Sequence, residues 1–243
     1  MSADIEQRAH PTIDAALLAE LATFSTPSVF NGLQRLGARP ADMPTMDREA
    51  IRCMSPALGA RVGYAATRKD DTSSERSPAA VDRNRELSDR LHEHIFESPE
   101  PRILVVENIG NPNGPMCIWG EVMANVNLAL GCTAGITNGP VRDLPEMEAL
   151  GFQTFAGGLA VGGGFARSLE VGEPVTIGGV TVHPGDLLHT DMHGVLRIPT
   201  DLAPQLPDAI RAVEEAERAV IRVCQSPDFS LDALAKARAA RRH

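Results

Sequence analysis

A regular alternation of apolar runs and helix-periodic segments in the middle of the chain constrains the fold more than any other feature. The run ILVVE at 103–107 is continuously apolar, which predicts a buried strand. Residues 120–130 then carry apolar side chains at helical spacing, and Gly131 follows as a typical helix stop. A strand at 133–138 and a short helix that begins at Asp143 repeat the pattern. This order predicts a mixed α/β fold built in layers.

Weaker patterns on both sides complete the expected fold. Amphipathic spacing predicts two short helices at 13–22 and 27–36, and a strand is expected at 61–66. The polar stretch 68–80 is expected to be an exposed loop before a charged helix at 81–97. The expected later elements are strands at 152–156 and near 174–177, 180–183, 186–190 and 194–198, and a long helix at about 206–224.

The composition excludes several classes of function. A formal net charge of −9 argues against a general nucleic-acid surface, since phosphate binding needs a positive field. The chain begins without the basic-then-apolar pattern of a signal peptide and contains no stretch long enough to span a membrane. We therefore expect a cytoplasmic protein with neither a nucleic acid nor a membrane as partner.

The strongest candidate site combines Gly120-Glu121 with Arg142-Asp143, which follow after twenty intervening residues. Each pair falls where a loop or strand leads into a helix, where free backbone N–H groups favour an anion. A guanidinium can bind an anionic substrate, and a carboxylate can hold a hard divalent cation. Other interpretations stay open: Asp143 as a simple helix cap, Glu121 as a partner of the helix dipole, and Arg142 as a surface ion-pair partner.

Two further motifs compete with that site. His189, Asp191 and His193 alternate along an expected strand and so could face one side and bind a transition metal. However, Met192-His193-Gly194 is typical of a turn, which would break the shared face, so a polar hairpin end near the pocket is the favoured interpretation. The glycine-rich loop 157–164 lacks the Lys-Ser/Thr of a nucleotide-binding loop and is expected to be either a flexible hairpin or the edge of a pocket.

The stretch GEVMANVNLALGCTAGITNGPVRDLPEMEALGF at 120–152 resembles the RraA-like family. That family contains regulators of ribonuclease E activity and class II 4-hydroxy-4-methyl-2-oxoglutarate aldolases. The resemblance implies a three-layer, swivelling-domain-like sandwich with mixed β-sheets and a C-terminal helical extension. It further implies a single domain over 1–243 with its core at about 25–199, assembled as a homotrimer or homohexamer.

The resemblance also implies a metal site that holds Mg²⁺ or Mn²⁺. Asp143 would be the direct protein ligand, and waters would fill most other positions. Glu121 would act through water, at the position where aspartate is common in the family. A glutamate from the C-terminal helix of a neighbouring subunit would act through a second water. Glu214 is its best match in this sequence, with Glu215 and Glu217 as close alternatives.

A small 2-oxo acid would bind beside that metal. Arg142 would contact its carbonyl or enolate oxygen, and the backbone at Gly120, Glu121, Val122 and Met123 would hold its carboxylate. The implied reaction cleaves a 4-hydroxy-2-oxo acid to pyruvate, and the same site would decarboxylate oxaloacetate. Two alternatives remain: a non-catalytic protein similar to the ribonuclease regulators, and a metal-enolate enzyme that acts on another oxo acid.

Four features depart from the family pattern. Glu121 is one methylene longer than aspartate, and Asn31 and Asn138 stand at or near positions where relatives often carry aspartate. Residues 68–97 are also longer than expected and could form a lid or a subunit contact. The longer Glu121 would change the distance to the metal-bound waters, and Asn138 would change the charge behind the site.

Overall fold

The protein is described here by a computed structural model, which covers residues 13–73, 77–111, 113–163 and 165–240. The helices are α1 (Ala15–Leu21), α2 (Thr26–Arg35), α3 (Pro78–Glu97), α4 (Glu121–Ala129), α5 (Leu144–Ala149), α6 (Leu206–Gln225) and α7 (Leu231–Ala240). The strands are β1 (Arg52–Cys53), β2 (Arg61–Asp71), β3 (Arg102–Asn108), β4 (Cys132–Thr137), β5 (Pro140–Val141), β6 (Gln153–Ala156), β7 (Gly158–Leu159), β8 (Arg167–Val171), β9 (Val175–Ile177), β10 (Val180–Val182), β11 (Leu187–Asp191) and β12 (Gly194–Ile198).

A mixed sheet forms the centre of the protein. Its strand order is β1-β6-β4-β3-β2-β11-β12, with β8 also paired to β2. Strands β2, β3, β4 and β6 run parallel, whereas β1, β8, β11 and β12 pair antiparallel with their neighbours. Strand β2 pairs with β11 over its first four residues and with β8 over its last four. The α/β expectation is therefore confirmed.

Helices and a hairpin cover the sheet in layers. Helices α3, α4 and α5 connect successive parallel strands and bury one face, where Leu91 and Leu104 belong to one apolar cluster. The hairpin of β9 and β10 covers a second group of apolar side chains on the sheet, because Ile136 of β4 and Ile177 of β9 belong to the same apolar cluster. Helices α1, α2 and α6 pack against β11 and β12. This layered arrangement places the ends of the parallel strands beside the loops that carry the candidate site.

The prediction of a loop at 68–80 is wrong for residues 68–71. Strand β2 continues through this polar sequence to Asp71, because its charged side chains are paired within the sheet. Arg68 Nη2 lies 2.6 Å from the buried Asp70 Oδ2, and Lys69 Nζ lies 2.7 Å from Glu170 Oε2 on β8. Strand β8 itself was not expected. Apolar periodicity cannot reveal strands whose side chains are matched by charge.

The C-terminal helix expected at about 206–224 is confirmed as α6, and a second helix, α7, follows it. Of the described part of α7, no residue is buried. None of the helices in the described segments is both long enough and apolar enough to cross a membrane.

Candidate active site

The candidate site lies where the parallel strands β3 and β4 end. The Asn138 side chain joins the two ends: its Oδ1 accepts a hydrogen bond from Asn108 N at 2.6 Å, and its Nδ2 donates to Asn108 O at 2.9 Å. An aspartate at 138 could accept the first bond but could not donate the second. The departure from the family pattern therefore gives this chain a neutral amide clamp behind the site.

Two backbone hydrogen bonds bring the separated sequence motifs together. Ile118 N donates to Pro140 O at 2.8 Å, and Arg142 N donates to Trp119 O at 3.2 Å. These bonds align the segment before α4 with the segment before α5. Gly120 therefore lies directly beside Arg142 and Asp143.

Asp143 adopts a left-handed backbone conformation with φ 55° and ψ 42°, which a non-glycine residue rarely adopts. It stands at the N-cap position of α5, but its side chain makes no capping bond there. Instead, Oδ2 accepts a hydrogen bond from Glu121 N at 3.1 Å, across the gap to α4. The helix-cap interpretation is therefore wrong, because the carboxylate is turned toward the other half of the motif.

Arg142 is held between that carboxylate and the glycine-rich loop. Its Nε lies 3.4 Å from Asp143 Oδ2, and its side chain is 44 % exposed. A Cβ at Gly163 would lie 2.6 Å from Arg142 Nη1, so glycine at this position lets the guanidinium lie against the backbone without shifting. The loop 157–164 thus does contribute glycine at the edge of the site. The sequence alone did not indicate which of its glycines does so.

The N-terminus of α4 offers backbone donors at this place. The N–H of Glu121 is used by Asp143, whereas the N–H groups of Val122 and Met123 have no acceptor among the described residues. The Glu121 side chain is exposed and forms no hydrogen bond or ion pair with any described residue. Two free donors and one free carboxylate therefore border the Arg142–Asp143 pair.

Glu214, the expected contribution of a neighbouring subunit, lies on α6 away from Arg142 and Asp143 in its own chain. Its Oε1 accepts a hydrogen bond from Ser28 Oγ at 3.3 Å, and its Oε2 lies 3.1 Å from Arg218 Nη2. The carboxylate is 28 % exposed. A role for Glu214 in the site of another copy stays a prediction.

The rival motif of alternating histidines and aspartate does not form a metal site. Within the described segments, no three His, Cys, Asp or Glu side chains are arranged to hold a metal ion. His189 is fully buried, with Nδ1 2.9 Å from Thr26 Oγ1 and Nε2 3.1 Å from Leu21 O, so both ring nitrogens are occupied. Strand β11 ends at Asp191 and His193 lies in the turn, which confirms the hairpin end. Its expected position near the pocket is wrong, because Thr190 pairs with Arg61 at the end of the sheet opposite to Arg142 and Asp143.

Burial lowers the pKa of His189, and this predicts a pH-dependent stability. The folded protein keeps the imidazole neutral, whereas the unfolded chain takes up a proton below pH ~6.5. The free energy of unfolding should therefore be largest above that pH and fall as the pH drops below it. Urea unfolding at pH 7.5 and 5.5 measures this loss, which His189→Asn should reduce. The exposed His183→Asn is the control, and an equal loss in both variants would contradict the assignment.

The curated relatives match the chain in part. Protein DlpA of Legionella pneumophila is 29 % identical over 133 residues, which are 53 % of this chain and 21 % of DlpA. A putative 4-hydroxy-4-methyl-2-oxoglutarate aldolase of Halalkalibacterium halodurans is 26 % identical over 106 residues, which are 43 % of this chain and 50 % of the relative. The matches thus span half or less of these relatives' lengths.

Solved structures match over most of the chain. An uncharacterized protein of Pseudomonas syringae pv. tomato superposes with a TM-score of 0.69 at 24 % identity, covering 99 % of both chains. Streptomyces coelicolor RraAS2, described as an unusual member of the RNase ES inhibitor RraA protein family, superposes with a TM-score of 0.62 at 21 % identity. This match covers 85 % of this chain and 96 % of RraAS2. At identities this low, the structural matches show a shared fold and nothing more.

The family model described as RraA-like, Aldolase/RraA, matches residues 26–197. The matched segment runs from the first residue of α2 into β12 and contains both halves of the Gly120–Asp143 site. This chain belongs to the RraA-like family.

Proposed function

We propose that this protein is a divalent-metal-dependent lyase that cleaves a 4-hydroxy-2-oxo acid to pyruvate and also decarboxylates oxaloacetate. The observation that carries the proposal is the position of the Asp143 carboxylate. It is held by Glu121 N at 3.1 Å and lies beside the Arg142 guanidinium, in a backbone conformation that costs about 1–2 kcal/mol. Strain of this kind persists where the surrounding structure enforces it, which is common at functional sites.

The donor set suits Mg²⁺ or Mn²⁺. Both contacts that Asp143 makes use Oδ2, so Oδ1 has no partner among the described residues, and the side chain is 37 % exposed. Magnesium is commonly bound by one or two carboxylates while it keeps several waters. Asp143 would hold the cation directly, and Glu121 would hold one of its waters. When bound, the cation would stabilise negative charge on the substrate's carbonyl oxygen.

The remaining groups suit the anionic end of a 2-oxo acid. The free N–H groups of Val122 and Met123 at the start of α4 would donate hydrogen bonds to the carboxylate, at a place where the helix dipole also favours an anion. The terminal nitrogens of Arg142 donate no hydrogen bond to a described residue, so they are available to the C2 oxygen. These donors are fixed before the reaction, which lowers the cost of charge development.

In the proposed cleavage, the bond between C3 and C4 breaks and its electron pair moves onto the C2 oxygen, giving the enolate of pyruvate. Arg142 stabilises this oxygen. The C4 hydroxyl loses its proton as C4 becomes a carbonyl, and Glu121 would take that proton through a water molecule. Protonation of C3 then yields pyruvate. Oxaloacetate gives the same enolate by loss of carbon dioxide and requires no base at C4.

A substrate panel tests the proposal. Purified protein is assayed for pyruvate release from oxaloacetate and from 4-hydroxy-2-oxo acids of different C4 substituents, before and after chelation and with Mg²⁺ restored. We expect saturable release that chelation abolishes and Mg²⁺ restores. Stoichiometric binding to a ribonuclease, with no lyase activity on any substrate, would instead support the regulator-like alternative.

The substitution Gly120→Ala should impair activity by steric displacement alone. A Cβ at this position would lie 2.3 Å from Asp143 Oδ2, and the φ of −148° is accessible to any residue. We expect kcat/KM to fall about tenfold to a hundredfold, since small displacements of a catalytic group have effects of that size. Gly158→Ala is the matched control, because nothing lies within 4 Å of its added Cβ. Equal activity of both variants would refute the arrangement.

A further inference from the structure

A second cleft lies at the end of the sheet opposite to Arg142 and Asp143. It has a volume of about 590 Å³ and is formed by α2, the segment around Asp47 and the turn between β11 and β12. That turn follows Thr190, which pairs with Arg61 at the beginning of β2. At the other end of the sheet, the last residue of β4 pairs with Val106 of β3. At 3.3 Å per residue, the two places are separated by roughly 25 Å along the strands.

A histidine and a buried aspartate form a fixed pair at this cleft. Asp191 is 5 % exposed and accepts hydrogen bonds from Thr26 N at 2.9 Å and from His193 N at 2.7 Å. Its Oδ1 also lies 3.1 Å from His193 Nδ1. Burial alone would raise the pKa of Asp191, but the hydrogen bonds it accepts outweigh burial and lower the pKa. The carboxylate therefore stays ionised and orients the ring.

This orientation defines the chemistry that His193 offers. In the neutral imidazole, Nδ1 carries the proton and donates a hydrogen bond to Asp191, so the free lone pair is on Nε2. The side chain is 54 % exposed and lines the cleft. His193 therefore presents an acceptor for a hydroxyl group, held in place by a buried charge.

Other lining groups have unused donors. The side chain of Arg48 forms no ion pair or hydrogen bond with the residues that the structure describes, and the same holds for the amide of Asn31. A guanidinium binds a carboxylate through two parallel N–H groups, and an amide can donate as well as accept. The cleft volume lies within the range of about 300–1,000 Å³ that is usual for small-molecule sites.

We propose that this cleft is a second binding site, for a small hydroxy acid whose carboxylate contacts Arg48 and whose hydroxyl donates to His193 Nε2. Asp191 is the positioning residue that fixes the imidazole, and Asn31 contacts the ligand between the two. The site requires no chemistry at Arg142 or Asp143, so it stands independently of the proposed lyase activity.

Calorimetric titration with L-malate tests the site, in an Arg142→Ala background that removes the first anion site. We expect one malate per chain, with succinate at least tenfold weaker because it lacks the hydroxyl. His193→Gln and Arg48→Gln should each weaken malate binding by about tenfold or more, the effect of losing one hydrogen bond to a charged or oriented group. Arg39→Gln, which removes an exposed arginine paired with Asp42, is the control and should leave the affinity unchanged.

Nitrogen-15 spectra of the histidine rings give a second readout that does not depend on affinity. In the free protein His193 should show its proton on Nδ1, and malate should shift the Nε2 resonance while His189 stays unchanged. The proposal is overturned if no malate binds, if succinate binds equally well, or if His193→Gln leaves the affinity intact.

Discussion

Replacement of Asp143 by asparagine is expected to reduce pyruvate release about a thousandfold while the fold is retained. Asparagine keeps an oxygen that can accept the hydrogen bond from Glu121 N, and it tolerates the left-handed φ of 55° better than most residues. The variant removes the charge that would hold a divalent cation and that balances Arg142. Loss of one group that stabilises developing charge lowers kcat by about a hundredfold to a thousandfold. Steady-state assays and thermal unfolding measure the two effects.

Glu146→Gln is the matched control for this variant. Glu146 lies in the first turn of α5 and is exposed, so the substitution removes the same charge three residues further along the chain. Its activity should equal that of the wild type. If Asp143→Asn kept more than a tenth of the wild-type rate, or if Glu146→Gln lost as much activity, the role of Asp143 would be refuted.

Replacement of Arg142 by lysine is expected to lower kcat/KM about a hundredfold. Lysine keeps the positive charge but loses the planar donors that contact Asp143 through Nε and reach the loop at Gly163. The effect should appear mainly in kcat, because the proposed contact strengthens as the enolate forms. Steady-state kinetics with oxaloacetate at saturating Mg²⁺ separates kcat from KM.

Arg167→Lys is a closely matched control for the arginine. Arg167 has the same exposed fraction, 44 %, and lies at the same 3.4 Å from a carboxylate, that of Asp71. A general requirement for arginine ion pairs would impair both variants. A loss confined to KM, or an equal loss at position 167, would contradict a contact between Arg142 and the reacting oxygen.

The sequence predicted most of the sheet because its central strands are buried on both faces. The run at 103–107 becomes β3, and the periodic segment 120–130 becomes α4, with Gly131 at φ 79° as its stop. Strand β8 and the second half of β2 escaped prediction, because ion pairs such as Lys69–Glu170 replace the apolar pattern there. Pairing between residues a hundred positions apart leaves no local signal.

The candidate site was located by the sequence, but its geometry was not. The spacing of Glu121 and Arg142-Asp143 marked two helix starts, and local rules then predicted that Asp143 caps its own helix. The structure directs this carboxylate to the other helix instead, because the backbone bonds between 118–119 and 140–142 bring the two starts together. Gly120 leaves room for this carboxylate, and its expected backbone contact with substrate stays a prediction. Such contacts depend on tertiary packing, which spacing alone cannot reveal.

In the proposed function, Arg142 and Asp143 form the place where a divalent cation and a 2-oxo acid meet. The most direct measurement is a Mn²⁺ titration followed by electron paramagnetic resonance in the presence of oxalate, a stable mimic of the pyruvate enolate. We expect one bound Mn²⁺ per chain, tightened by oxalate, in the wild type and in Glu146→Gln. Binding should be lost in Asp143→Asn, and the effect of oxalate should be lost in Arg142→Lys. A wild-type protein that binds no Mn²⁺, or an Asp143→Asn variant that binds it equally well, would contradict the account.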